Sequence, residues 1–206
     1  MKKVILSLAV LATVLVSCKG KEDKKVEVKE ATKVEAVVVE NNVNIAASTL
    51  LWKGFKPTGS HNGTVKLTSG AMSVSNGLIT AGEFVIDMSS ITDADGSARL
   101  DGHLKSADFF DVEKYPTSKF VVTSSEVKEG KMMVTGNLTI KDVTKSITIP
   151  ATVSETEGVV TFKSETFELN RADFNVKYGS KSFFDNLKDK FINDNMEMSF
   201  EVQGTK

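Results

Sequence analysis

The chain has 206 residues, is 40% hydrophobic and carries a formal net charge of -1. That length suits one domain with a sizeable core plus a terminal extension, and the near-neutral, interspersed charge offers no field to gather nucleic acid, so no nucleic-acid partner is expected. The single cysteine, Cys18, excludes an intramolecular disulfide and any cysteine-based metal cluster, which leaves packing to hold the domain together.

Lys2 and Lys3 precede an apolar run over 4–16, the order of a secretory signal. The run is too short for the about 20 apolar residues that a spanning helix needs. It ends in Leu15, Val16, Ser17 and Cys18, which resembles a lipobox, where the cysteine is lipidated and becomes the mature N-terminus. A lipoprotein signal peptide is therefore expected over 1–18, with Cys18 as the lipidation site. Stable anchoring takes two or more acyl chains, so the expected product is an extracytoplasmic, bacterial outer-membrane lipoprotein facing the periplasm or the surface. An ordinary signal peptide with a coincidental cysteine is the alternative. Residues 19–47 are dominated by Lys, Glu, Val and Ala and hold no aromatic residue and no proline. They bury too little to repay ordering the backbone and read as a flexible, solvated tether.

From Ser48 the pattern changes to alternation with turn signals, which places the folded domain over 48–206. Leu50, Trp52 and Phe55 open the first strand. Segments 64–68 and 72–74 follow, with a turn near Ser69 and Gly70, and then Asn76 and Gly77 give a hairpin signal. The clearest strand is 78–88, with Phe84, Ile86 and Met88 on one face. The stretch 93–123, too rich in Gly, Asp and Ser in its front half to be strand, is expected to hold a crossover over 97–116. Within it Arg99, Leu100, His103 and Leu104 fall at helical spacing, Phe109 and Phe110 are adjacent anchors, and Pro116 forces Tyr115 to be extended. Next, 119–127 puts Phe120 and Val122 on one face, and Met132, Val134, Gly136, Leu138 and Ile140 share another. Ile147, Ile149, Ala151 and Val153 continue the apolar face beyond a turn at 141–144. Val160 and Phe162 have one parity and Phe167 and Leu169 the other, which predicts a bulge near 164–166. A polar loop with Phe183, Phe184 and Leu187 leads to a last strand carrying Met196, Met198, Phe200 and Val202.

Eight or nine strands with one apolar face each describe an all-β antiparallel meander with a single helical crossover. It can bury that face by closing into a barrel of about eight strands or as two stacked sheets, and alternation alone does not separate these. The order Arg99, Asp101, His103, Leu104, Ser106, Asp108, Phe109, Phe110, Tyr115, Pro116 and Phe120 resembles the signature of YceI-like proteins. The runs VTGNLTI over 134–140 and VTKSITI over 143–149 agree with it. The resemblance implies a lipocalin-like β-barrel with a long apolar cavity, which in some members holds an isoprenoid or another long-chain amphiphile. On that footing the expected function is a lipid-anchored binding protein that sequesters or carries a polyisoprenoid or other long-chain lipid, with no cofactor. Its expected cavity lining is Trp52, Phe84, Ile86, Met88, Phe109, Phe120, Val122, Met132, Val134, Leu138, Ile147, Ile149, Phe162, Met198 and Phe200. Methionine suits such a wall because it adapts to irregular apolar guests. Without the resemblance the same residues read as a filled core in preference to a cavity, which would leave a protein-interaction module whose partner is unknown.

Polar chemistry is sparse. His61 lies in a Gly, Ser and Asn-rich loop and His103 in the crossover, so no shared metal site is expected. Asp93 and Asp95 precede Gly96 without the ligand ladder of a calcium loop. No Gly-x-Ser-x-Gly elbow is present, and an enzyme is not expected. The only two arginines, Arg99 and Arg171, each have an aspartate two positions on, Asp101 and Asp173. Guanidinium forks of this kind either pin loops to the barrel or meet a ligand head group, and with His103 they are the expected polar rim.

Overall fold

The computed structural model describes residues 24–33 and 41–205. The signal segment, Cys18 and residues 34–40 lie outside the described residues. After a short strand β1 (Val28–Glu30), the chain runs through β2 (Asn41–Lys56), β3 (Gly59–Ser75) and β4 (Leu78–Asp93). Helix α1 (Ala98–Lys105) opens the crossover, and β5 (Thr117–Lys128), β6 (Lys131–Ile140), β7 (Val143–Thr156), β8 (Val159–Ser164), β9 (Phe167–Asn170) and β10 (Asn195–Thr205) complete it. The order β2-β3-β4-β5-β6-β7-β8-β10 returns to β2 through antiparallel pairing at every step. The sheet is thus a closed eight-stranded barrel, which settles the choice against stacked sheets.

Two-residue turns at 76–77, 129–130, 141–142 and 157–158 hold both central residues at positive φ. This is the primed geometry whose twist matches the flanking strands. The turn expected near Ser69 and Gly70 is instead a register shift within β3, between Leu67 and Ser69, and β3 continues unbroken. Shifts of this kind let long strands bend round a barrel without ending. The expected break near 164–166 is present: β8 stops at Ser164, and β9 takes over pairing along the first half of β10.

Helix α1 begins where the Ser97 side chain accepts the Leu100 N–H at 3.3 Å, and it buries Leu104 against the barrel. Ser97 thereby satisfies one of the donors that a helix start leaves without an intrahelical partner.

The tether reading over 19–47 needs correction at both ends. Strand β2 starts at Asn41, ahead of Ser48, and β1 pairs with β7 through Val28 and Ile147. Lys25 bridges Glu168 in β9, and Val26 is buried at 5% exposure. The reason is geometric. Strand β8 covers β7 only from Ala151 onward, and β9 diverges after the bulge, so a gap opens between β7 and β9 that residues 24–30 fill.

Candidate functional site

The barrel is solid at one end and hollow at the other. At the end that carries the turns at 76–77, 129–130 and 157–158, Met72, Ile79, Val134 and Val160 are fully enclosed and fill the interior. Towards the crossover end lies a cavity of about 120 Å³ whose exposed wall is wholly apolar. A cavity of that character holds water poorly and accepts apolar guests.

Of the residues expected to line it, Trp52, Phe84, Ile86, Met88, Phe120, Leu138, Ile147, Ile149, Phe162, Met198 and Phe200 do so. Four do not. Val122, Met132 and Val134 are buried, but in the filled end, because parity along a strand gives the face and not the height in the barrel. Phe109 is buried in the crossover, and its neighbour Phe110 reaches the cavity instead. Leu50, Leu67, Ile91, Phe167, Leu169 and Met196 also border the space. The alternation that placed Trp52 and Phe84 was available for these as well, except for Ile91, whose parity is opposite to that of Phe84 and Met88 and which the β3–β4 register shift turns inward. Along β10, Met196, Met198 and Phe200 face inward yet are only half-buried, as expected where side chains meet empty space. Trp52 Nε1 and Ser118 Oγ are buried without a hydrogen-bond partner among the described residues.

An aromatic row gives the cavity its shape. The Phe84 and Phe162 ring centroids are 5.9 Å apart, and Phe162 meets Phe200 edge-on at 4.8 Å. Phe120 lies over Gly136, where a Cβ would fall 2.4 Å from its Cζ, and Phe84 lies against Gly82, where a Cβ would fall 2.9 Å from its Cε2. The absence of side chains at these two glycines lets the rings lie against the wall instead of filling the space.

The crossover closes the hollow end. Phe109 and Phe110 pack edge-on at 5.2 Å, and His103 meets Phe109 at 5.7 Å and Tyr178 at 4.6 Å, also edge-on. The Lys141 ammonium donates to the Phe109 carbonyl at 2.9 Å, tying the crossover to the β6–β7 turn.

The expected polar rim separates into different roles. Arg171 is buried at 3% exposure and donates to the carbonyls of Val176 at 2.7 Å, Ile192 at 3.0 Å and Asn193 at 3.1 Å. Its guanidinium also pairs with Asp194 at 3.4 Å and sits over the Phe109 ring. Burial lowers its proton affinity and Asp194 opposes that. Arg171 therefore pins the 171–194 loop to the barrel and to the crossover. Asp101 accepts the Asp93 N–H at 2.7 Å, which fixes α1 to the end of β4. Arg99 and Asp173 are exposed and line no part of the cavity. His103 belongs to the aromatic cap. His61 lies apart from it, brought beside Asp93 by the β3–β4 pairing of Gly63 with Asp93.

The chain matches the YceI-like domain family over residues 25–204. A UPF0312 protein of Pseudomonas putida is 37% identical over 123 residues, which are 56% of this chain and 64% of that protein. The match thus spans a little under two thirds of that relative. BcnA of Burkholderia cenocepacia superposes with a TM-score of 0.66 at 23% identity, covering 79% of this chain and 99% of BcnA. A polyisoprenoid binding domain from Saccharophagus degradans superposes with a TM-score of 0.60 at 15% identity, covering 82% and 99%. At those identities the superpositions establish the shared fold.

Proposed function

The chain belongs to the YceI-like family, and on that premise we propose that it is a non-enzymatic binding protein that sequesters or carries a polyisoprenoid or another long-chain amphiphile inside the barrel. The observation that carries this reading is the apolar cavity at the crossover end, walled by the Phe84, Phe162 and Phe200 row. The Saccharophagus neighbour, described as polyisoprenoid binding, adds support. Magnitudes restrict the guest. Burying ten methylenes gives roughly 8 kcal/mol at about 0.8 each, against about 4 kcal/mol or more for association, so only long chains reach useful affinity. Such a chain needs more room than the about 120 Å³ of this cavity, gained by moving the half-buried Met196, Met198 and Phe200 aside. The alternative, an interaction module with a filled core, would be favoured by an interior with no cavity long enough for a chain.

The reading extends to location. Lipidation of Cys18 would tether the barrel to a membrane outside the cytoplasm, a bacterial outer membrane in the fullest form of the proposal. Its support is the order of Lys2, Lys3, the apolar run and Cys18.

Trp52 is the only tryptophan and borders the cavity, which makes it a built-in reporter. Titration of the full chain with a polyprenol should shift Trp52 emission to the blue and saturate at one equivalent, while short polar alcohols leave it unchanged. An emission spectrum insensitive to every long-chain lipid tested would count against carriage.

A further inference from the structure

The register shift in the β3–β4 pairing between Thr64 and Lys66 turns Asp93 inward at the end of β4, where its side chain is 0% exposed. Its Oδ2 accepts the Ser97 N–H at 3.3 Å. Its Oδ1 is buried and has no hydrogen-bond partner among the described residues. That oxygen faces His61 Nδ1 at 3.6 Å, an atom also buried and without a hydrogen-bond partner among the described residues. The separation is longer than a good hydrogen bond. It is close to the edge of about 3.3 Å that a tetrahedron has when its ligand bonds are about 2.0–2.1 Å. Asp95 supplies a third donor, and one ligand atom from each of His61, Asp93 and Asp95 lies within 4.8 Å of the others.

We propose that His61, Asp93 and Asp95 form a binding site for a divalent transition cation, with zinc as the fitting ion. An imidazole with two carboxylates favours zinc over magnesium or calcium, which prefer all-oxygen shells. Three protein ligands leave one position for water, and the exposed Asp95 side gives the ion a way in. The supporting shell is already in place. The Ser97 N–H orients the Asp93 carboxylate, Asp101 accepts the Asp93 N–H, and the Ala94 N–H donates to the Asn62 carbonyl at 2.8 Å beside His61. Bound zinc ties β3 to the start of the crossover and so stiffens the hollow end of the barrel. This inference is independent of lipid carriage.

The test is calorimetric titration of zinc chloride into the chelator-stripped full chain. One equivalent should bind, His61→Ala should weaken binding by about tenfold or more, and Asp95→Asn should weaken it several-fold. Zinc should also raise the melting temperature of the wild type and not of His61→Ala. Asp95 is exposed, so Asp95→Asn carries the test if His61→Ala does not fold. Absence of stoichiometric binding at micromolar zinc, or binding unchanged by these substitutions, overturns the proposal and leaves His61 and Asp93 as a side-chain contact only.

Discussion

The backbone N–H of Val26 donates to the carbonyl of Glu168 at 3.0 Å, and the Glu168 N–H donates back to the Lys24 carbonyl at 2.7 Å. This exchange seats Val26 in the barrel wall between β7 and β9, beside Phe167 and Leu169, which border the cavity on β9. Removing the branched methyls with Val26→Ala should cost about 1–2 kcal/mol. Amide exchange at Glu168 should accelerate in the same variant. Unchanged stability and unchanged exchange would show that the N-terminal strap contributes nothing to the wall.

Gly82 keeps Phe84 against the wall. An added Cβ would lie 2.9 Å from Phe84 Cε2 and 3.2 Å from Val122 Cγ2, so Gly82→Ala must tilt the ring towards the cavity. The variant should stay folded, lose about 1–3 kcal/mol through overpacking, and retain less long-chain lipid after gel filtration. Retention equal to wild type would mean that the space in front of Phe84 is not where the chain lies.

Arg171 distinguishes loop pinning from head-group recognition. Arg171→Met leaves the Val176, Ile192 and Asn193 carbonyls without their donor and Asp194 without its partner. A loss of about 3 kcal/mol in chemical denaturation is expected, and Arg171→Lys should not restore it, because one ammonium nitrogen cannot stand at the three separate positions of Nε, Nη1 and Nη2 from which the carbonyls are reached. If stability held while lipid retention fell, Arg171 would be a ligand contact and not a pin.

Much of this was legible in the sequence, and the misses have physical causes. Period-two alternation correctly turned Phe84, Ile86, Leu138, Ile149 and Phe200 inward, because a closed barrel imposes one apolar face on every strand. Alternation carries no information on height, so Val122, Met132 and Val134 were indistinguishable from the cavity residues. Adjacent Phe109 and Phe110 could not be ranked without the path of the crossover, which turns Phe110 to the cavity and Phe109 to Arg171. His61 and Asp93 meet only through the β3–β4 register, which contains shifts that no local pattern reveals. Residues 24–30 look too polar to be ordered, and they are held by a gap in the wall more than by their own apolar content.

Cys18 carries the proposed location. Cys18→Ser should move the protein from the detergent-extracted membrane fraction to the soluble extracytoplasmic fraction without altering the melting temperature of the barrel. An unchanged distribution, or a wild-type N-terminal peptide whose mass lacks acyl chains, would remove the anchor from the account.

The most direct test of carriage is native mass spectrometry of the purified full chain, followed by organic extraction. The account predicts a stoichiometric long-chain species that is released on denaturation and is depleted in Met198→Asp, which sets a carboxylate in the apolar cavity. A clean ligand-free mass that stays unchanged after incubation with polyprenols, quinones and long-chain amides would contradict it.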